Sequence, residues 1–224
     1  MLLLASNSPR RNLLLTLGGW DFSVLPAEID EQPFPGEDPR HYVLRLAQDK
    51  ARHVAARAPQ ESVVVAADTT VVDGDELKGE ILGKPAGPDE AESMLSRLRG
   101  RTHLVHTALA VLRVVDGSLL ADLCTTRVKM RDYNNEEMLA YIATGDPLDK
   151  AGAYAIQHTD FNPVEALEGC FTNVVGLPLC RVTHMLKALG LSPARNVPFA
   201  CLYTLQDNCS ISPQVLDEKF QTKR

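Results

Sequence analysis

Asp68 is the carboxylate that folding alone explains least. It follows the apolar run Ser62 to Ala67 and precedes Thr69-Thr70, which reads as a buried strand reaching the edge of its sheet. An acid placed there is costly to bury without a cation, a metal or a bound water. Ligands collect at such strand ends in open α/β sheets. The plainer alternative is an aspartate capping its own turn, a job Thr69 and Thr70 already do. Lys50 lies four residues after Leu46 and four before Val54, on or beside the inward stripe of a helix. Snorkelling along apolar neighbours would also explain it. Lys84, between Gly83 and Pro85, sits in a rigid turn after an apolar pair.

A third group lies at the front, Ser6-Asn7-Ser8-Pro9-Arg10-Arg11. Ser8 reads as a helix N-cap and Pro9 as the first helical residue, with the helix running to a stop at Gly18-Gly19. Arg10 and Arg11 then oppose the helix dipole, at a cost of roughly a few tenths of a kcal/mol each. Free backbone N–H groups, a hydroxyl and two guanidinium forks suit a polyanion, most naturally a phosphate chain. Two solvated surface arginines are the alternative. Together with Lys50 and Lys84 they could neutralise a triphosphate of about four negative charges. Glu28, Asp30 and Glu31, beside Pro33 and Pro35, could lend one or two oxygens to Mg²⁺, or simply form a solvated connector.

Other chemistries lack their residues. His103 and His106 are three apart on a strand, which sends them to opposite faces and away from a shared metal. The G-x-S-x-G, C-x-x-C and P-loop motifs do not occur. Five cysteines form an odd set, read as reduced thiols of a cytoplasmic protein. A net charge of -6 argues against a partner of polymeric nucleic acid. No apolar run approaches a membrane span, and the front has no signal-peptide layout.

The elements that must position these residues alternate, pointing to a layered α/β fold with a mixed sheet. Strands are expected at Leu2–Leu4, Phe22–Leu25 and Ser62–Ala67, and an acidic loop spans Glu28–Asp38. A helix opens at Asp38-Pro39 and runs to about Ala58, with Val43, Leu46, Ala47, Ala51 and Val54 inward. A polar hairpin around Gly74 and Gly79 returns to Ile81-Leu82, and a helix covers Asp89–Arg99. His103–Val115 and Leu119–Met130 form a hairpin through Asp116-Gly117-Ser118. Asn134-x-x-Glu137 starts a capped helix ending at Gly145. A short strand near Ala153–Ile156, a loop from His158 to Gly169 and a last helix ending near Gly190 follow. Residues 192–224 lose periodicity and read as an extension of unknown role beyond a domain of residues 1–191.

In this order the segments resemble the Maf family of nucleoside triphosphate pyrophosphatases. They are Ala5–Arg11, Ile29-Asp30-Glu31, Lys50-Ala51, Ala67-Asp68-Thr69, Leu82–Pro85, Asp149–Gln157 and Val174–Leu179. The resemblance implies an elongated mixed sheet with flanking helices in two lobes around a cleft, and a homodimer. It implies hydrolysis of a nucleoside triphosphate to the monophosphate and pyrophosphate with a divalent metal, Mg²⁺ or Mn²⁺. Carried over, Asp68 activates water or holds the metal, and Glu31 assists with the metal. Ser8, Arg10, Arg11, Lys50 and Lys84 grip phosphates, and Thr69 and Gln157 influence the base. The Gln157 variant of the segment is similar to the dTTP/UTP branch, and a side-chain amide can pair with a pyrimidine edge. His158-Thr159-Asp160 replaces the family's usual glycine, and the hairpin from Asp73 to Glu80 is longer than usual. The competing expectation is a non-catalytic nucleotide sensor that regulates cell division.

Overall fold

The computed structural model describes residues 1–205 and Val215. β1 (Leu2–Leu4) leads into α1 (Pro9–Leu17), which Ser8 caps by accepting from the Arg11 amide at 3.4 Å. β2 (Phe22–Val24) and an extended acidic segment follow. Asp38 then caps α2 (Pro39–Ala55), whose buried stripe is Val43, Leu46, Ala47, Lys50, Ala51 and Val54. β3 (Val63–Asp73) turns back into β4 (Glu80–Leu82), and α3 (Pro88–Leu98) follows. β5 (Thr102–Arg113) and β6 (Ser118–Met130) are the long hairpin. The Asn134/Glu137 capping box opens α4 (Asn135–Ala143). Single 3-10 turns at Asp146–Asp149 and Ala151–Ala153 precede β7 (Val164–Glu168), α5 (Phe171–Val175), α6 (Leu179–Ala188) and α7 (Val197–Leu205).

The strands make one mixed sheet of seven, ordered β2-β1-β3-β5-β6-β7, with β4 also on β3. β1 and β4 share one edge of β3. β1 pairs in parallel with Val63–Val65, and β4 pairs antiparallel with Val71–Asp73. Between them, residues 66–70 of β3 have no strand among the described residues beside them on that edge, while β5 pairs with all of them on the other. This gap is the floor of a cleft. Val63, Val65 and Ala67 face a core built with α1, α6 and α7, whereas Val64 and Ala66 face the α2 core. A third core, with Val71, Leu95, Val105, Met130, Tyr133 and Tyr141, fills the lobe beyond the gap.

Four sequence expectations need correction. Asp68 is not at a strand end: β3 runs on to Asp73 because its ladder with β5 extends to Val72↔Leu104. Ala153–Ile156 is not a strand, since Gly152 (φ +69°) and Ala153 (φ +60°) take left-handed conformations that no strand accepts. The loop expected at His158–Gly169 contains β7, a mostly exposed edge strand on β6 whose apolar signal is correspondingly weak. α6 is followed by α7, which buries Val197 and Cys201 in the first core. Beyond Leu205 the extension, apart from Val215, lies outside the described residues.

Candidate active site

Strand alternation sends Asp68 toward α2 and Thr69 toward α1. Asp68 therefore meets Lys50, whose Nζ lies 2.5 Å from Asp68 Oδ1 and 2.7 Å from Glu31 Oε1. Asp68 and Lys50 are buried, whereas Glu31 comes from the acidic segment and is exposed on its far side. Tyr42, two helical turns before Lys50, fixes that segment by donating to the Glu31 carbonyl at 2.9 Å.

On the other face, Arg11 is held by three acceptors. Its Nε donates to the Gly176 carbonyl at 2.8 Å, Nη2 to Thr69 Oγ1 at 3.1 Å and Nη1 to Ser6 Oγ at 3.4 Å. A guanidinium has five N–H donors, so one remains on each terminal nitrogen for a ligand. Gly176 (φ +116°) permits the approach: a Cβ there would sit 3.3 Å from Thr69 Oγ1 and 3.4 Å from Arg11 Nε. Arg10 reaches across the cleft to Asp149 at 3.4 Å. Lys150, buried beyond it, pairs with Asp149 at 2.6 Å and Asp146 at 2.9 Å.

These groups, Asp146 apart, line one cavity of about 610 Å³. Ser8, Arg10, Arg11, Glu31, Lys50, Asp68, Thr69, Lys84 and Gln157 all contribute to its walls, whereas Glu28 and Asp30, the other acids of the loop, are not part of them. The Ser8 hydroxyl is already engaged in capping α1. Lys84 and Gln157 are exposed to the cavity. Residues that sequence reasoning missed are Ser6, Tyr42, Lys150 and the Gly176 carbonyl. Tyr42 carried a signal, the spacing of four that runs Tyr42, Leu46, Lys50 along one ridge of α2.

Burial pushes the Asp68 carboxyl above its ordinary range, against the pull of Lys50 and Arg11. Burial also lowers the Arg11 pKa, opposed by the Asp68 charge. Burial works against charge on Glu31 as well, but the Lys50 hydrogen bond and charge, with Lys84 and Arg11, hold its carboxyl below the usual range. Burial and the charges of Asp68 and Glu31 push the Tyr42 phenol up to about 12. The donor set suits a hard divalent cation: two carboxylates already converge on one positive centre, the Lys50 ammonium. Magnesium commonly takes one or two carboxylates and completes its shell with water and phosphate oxygens. Among the described residues no group of three or more His, Cys, Asp or Glu could hold a metal. His103 and His106 go separate ways, to Tyr154 and Thr125.

Residues 1–189, which contain every group above, match the family model for Maf-like protein. This chain belongs to the Maf family. The dTTP/UTP pyrophosphatase of Citrifermentans bemidjiense is 45% identical over 189 residues, covering 84% of this Maf chain and 95% of that protein. The dTTP/UTP pyrophosphatase of Methylococcus capsulatus is 47% identical over 194 residues, covering 87% and 93%. A more distant likeness is the crystal structure of a nucleoside-triphosphatase / dITP/XTP pyrophosphatase from Mycobacterium abscessus, with TM-score 0.39 and 13% identity, covering 84% of this chain and 96% of that one. The family match lies entirely within the described residues.

Proposed function

We propose that this Maf protein hydrolyses nucleoside triphosphates of the dTTP/UTP type to the monophosphate and pyrophosphate, by attack of water on the α-phosphorus. The observation that carries the reading is a buried carboxylate, Asp68, facing a cavity that Arg10, Arg11, Lys50, Lys84 and Lys150 also line. A module that only binds triphosphate gains nothing from an acid aimed at phosphate unless a metal bridges them, and the sensor reading is not favoured.

Arg11 offers its two unused N–H groups to phosphate oxygens, and Lys84 adds a mobile positive charge across the cleft. Both act where charge builds on the leaving pyrophosphate. Asp68 orients the attacking water and takes its proton. Burial raises its pKa, which makes the ionised carboxylate a better acceptor than an ordinary one, and the Lys50 charge pulls the other way. Glu31 and Asp68 would hold the Mg²⁺ or Mn²⁺, which when bound acidifies water and neutralises phosphate charge. Gln157 presents an amide to the base edge from the second lobe.

The proposal extends to a catalytic unit of residues 1–191, a homodimer and a cytoplasmic setting. None of the helices among the described residues is long and apolar enough to cross a membrane. A pyrophosphate-release assay over a nucleotide panel, with Mg²⁺, Mn²⁺ or chelator, tests the reading. Wild type should turn over UTP and dTTP only with metal. Asp68→Asn should lose about 10²–10⁴-fold in turnover, the span of general acid–base catalysis, and still bind triphosphate. Undiminished turnover in that variant removes Asp68 from the mechanism.

A further inference from the structure

A chain of hydrogen bonds runs from Arg11 and Thr69 in the cavity wall to Thr107 and Asn173 behind it. Thr107 Oγ1 lies 2.8 Å from the Asn173 backbone carbonyl, which can only accept, so Thr107 spends its single proton there. Thr69 Oγ1 lies 2.9 Å from Thr107 Oγ1, so the proton between them belongs to Thr69. Arg11 Nη2, which can only donate, completes the chain at Thr69 Oγ1. One assignment satisfies every group: Arg11 to Thr69, Thr69 to Thr107, Thr107 to Asn173.

The far end is firmly held. Asn173 is fully buried, and its Nδ2 donates to the Val105 carbonyl at 3.0 Å and to Thr126 Oγ1 at 2.9 Å. Thr126 Oγ1 also accepts from the Cys170 amide at 3.0 Å, which pins the start of α5 to β6. Among the described residues the Asn173 side-chain oxygen has no hydrogen-bond partner. What the side-chain amide secures is the aim of the Asn173 backbone carbonyl at Thr107. The same short helix ends at Gly176, whose carbonyl receives Arg11 Nε.

We infer that Thr107 and Asn173 are positioning residues for Arg11: they commit the Thr69 proton away from the cavity, so that Thr69 presents only lone pairs to the guanidinium. The inference rests on the reading of Arg11 as a phosphate-gripping residue. Without an acceptor at position 107, the Thr69 proton is no longer fixed away from the cavity, and its lone pairs are held less firmly toward the Arg11 fork.

The test uses the full chain with Thr107→Val, Thr107→Ser, Thr69→Ala and the Thr69→Ala/Thr107→Val pair. It reads kcat/KM for UTP, the Kd for inorganic tripolyphosphate by calorimetry, and Tm. Loss of one hydrogen bond to a charged group predicts about a tenfold fall in kcat/KM and in tripolyphosphate affinity for Thr107→Val. Thr107→Ser, which keeps the hydroxyl, should recover to within about twofold of wild type. In the Thr69→Ala background, Thr107→Val should add less than about twofold, since its route to Arg11 is already cut. A merely structural Thr107 would lower Tm and add its full effect in both backgrounds. Wild-type behaviour of Thr107→Val, failure of the serine to recover, or full additivity overturns the inference. If wild type releases no pyrophosphate, the proposed activity fails, and the tripolyphosphate measurements still decide the relay.

Discussion

Replacing Lys50 with methionine isolates the central ion pair, because it removes the ammonium and keeps most of the apolar stem. Lys50 and Asp68 are each only 10% exposed at their side chains, so Lys50→Met leaves Asp68 with a buried, uncompensated charge. Breaking a buried pair in this way costs about 3–5 kcal/mol. The second contact adds little: Glu31 is 52% exposed at its side chain, and such pairs are worth about 0–1 kcal/mol. For a chain of this size, 1 kcal/mol moves Tm by about 2–4 °C, so a fall of roughly 6–20 °C is expected at neutral pH.

The deficit should depend on pH in a set direction. Asp68 has a raised pKa in the folded protein, so the native state binds more protons than the unfolded chain between the ordinary and raised values, and stability falls as pH rises through that window. Removing Lys50 takes away a charge that pulls this pKa down, and the window widens upward. Glu31 acts in the same sense: its lowered pKa stabilises wild type above the ordinary glutamate range, and the variant forfeits that. Calorimetry should therefore find the variant nearest to wild type at about pH 4 and furthest below it at about pH 7.5. Adding Asp68→Asn should recover most of the loss, because neutral replacement of both partners leaves no stranded charge. An equal deficit at both pH values, or no recovery in the double variant, would refute this account of the site.

Gly176→Ala places a methyl group against Arg11 Nε and Thr69 Oγ1 at a φ of +116°. It should lower kcat/KM by about tenfold or more and cost about 1–2 kcal/mol of stability, and wild-type kinetics would show that the Gly176 approach is not needed. Gln157→Ala removes the amide from the cavity wall and should reorder the nucleotide panel more than it lowers the maximum rate, so an unchanged order would place base selection elsewhere.

The site was more legible in the sequence than the strands around it. Lys50 stood out as a charge on an apolar stripe, Asp68 as an acid after an apolar run, and Arg10 and Arg11 as cations at the wrong end of a helix. Each is a local anomaly, which a linear reading detects. Missed features depend on distant chain. β3 continues past Asp68 because β5, thirty or more residues on, pairs with it. β7 is an edge strand whose partner decides its existence. The Gly176 carbonyl matters through a contact 165 residues from Arg11, and no periodicity encodes that.

Why the cleft opens where it does follows from strand lengths. β1 stops at Leu4 and β4 takes over only at Val71, so an interior strand has a short stretch of free edge. Free edges are usually a liability. Here both lobes cover it, and the pleat converts it into a device: neighbouring residues Asp68 and Thr69 point to opposite faces, each toward a different helix and cation. That division holds for a single register. A slip of one residue would turn Asp68 toward α1 and Thr69 toward α2, stranding Lys50 and depriving Arg11 of its acceptor. Ten consecutive pairs with β5, from Val63↔Arg113 to Val72↔Leu104, hold the register against such a slip. The ladder runs past both ends of the gap, so the side of β3 that meets no ligand fixes the side that faces the cavity.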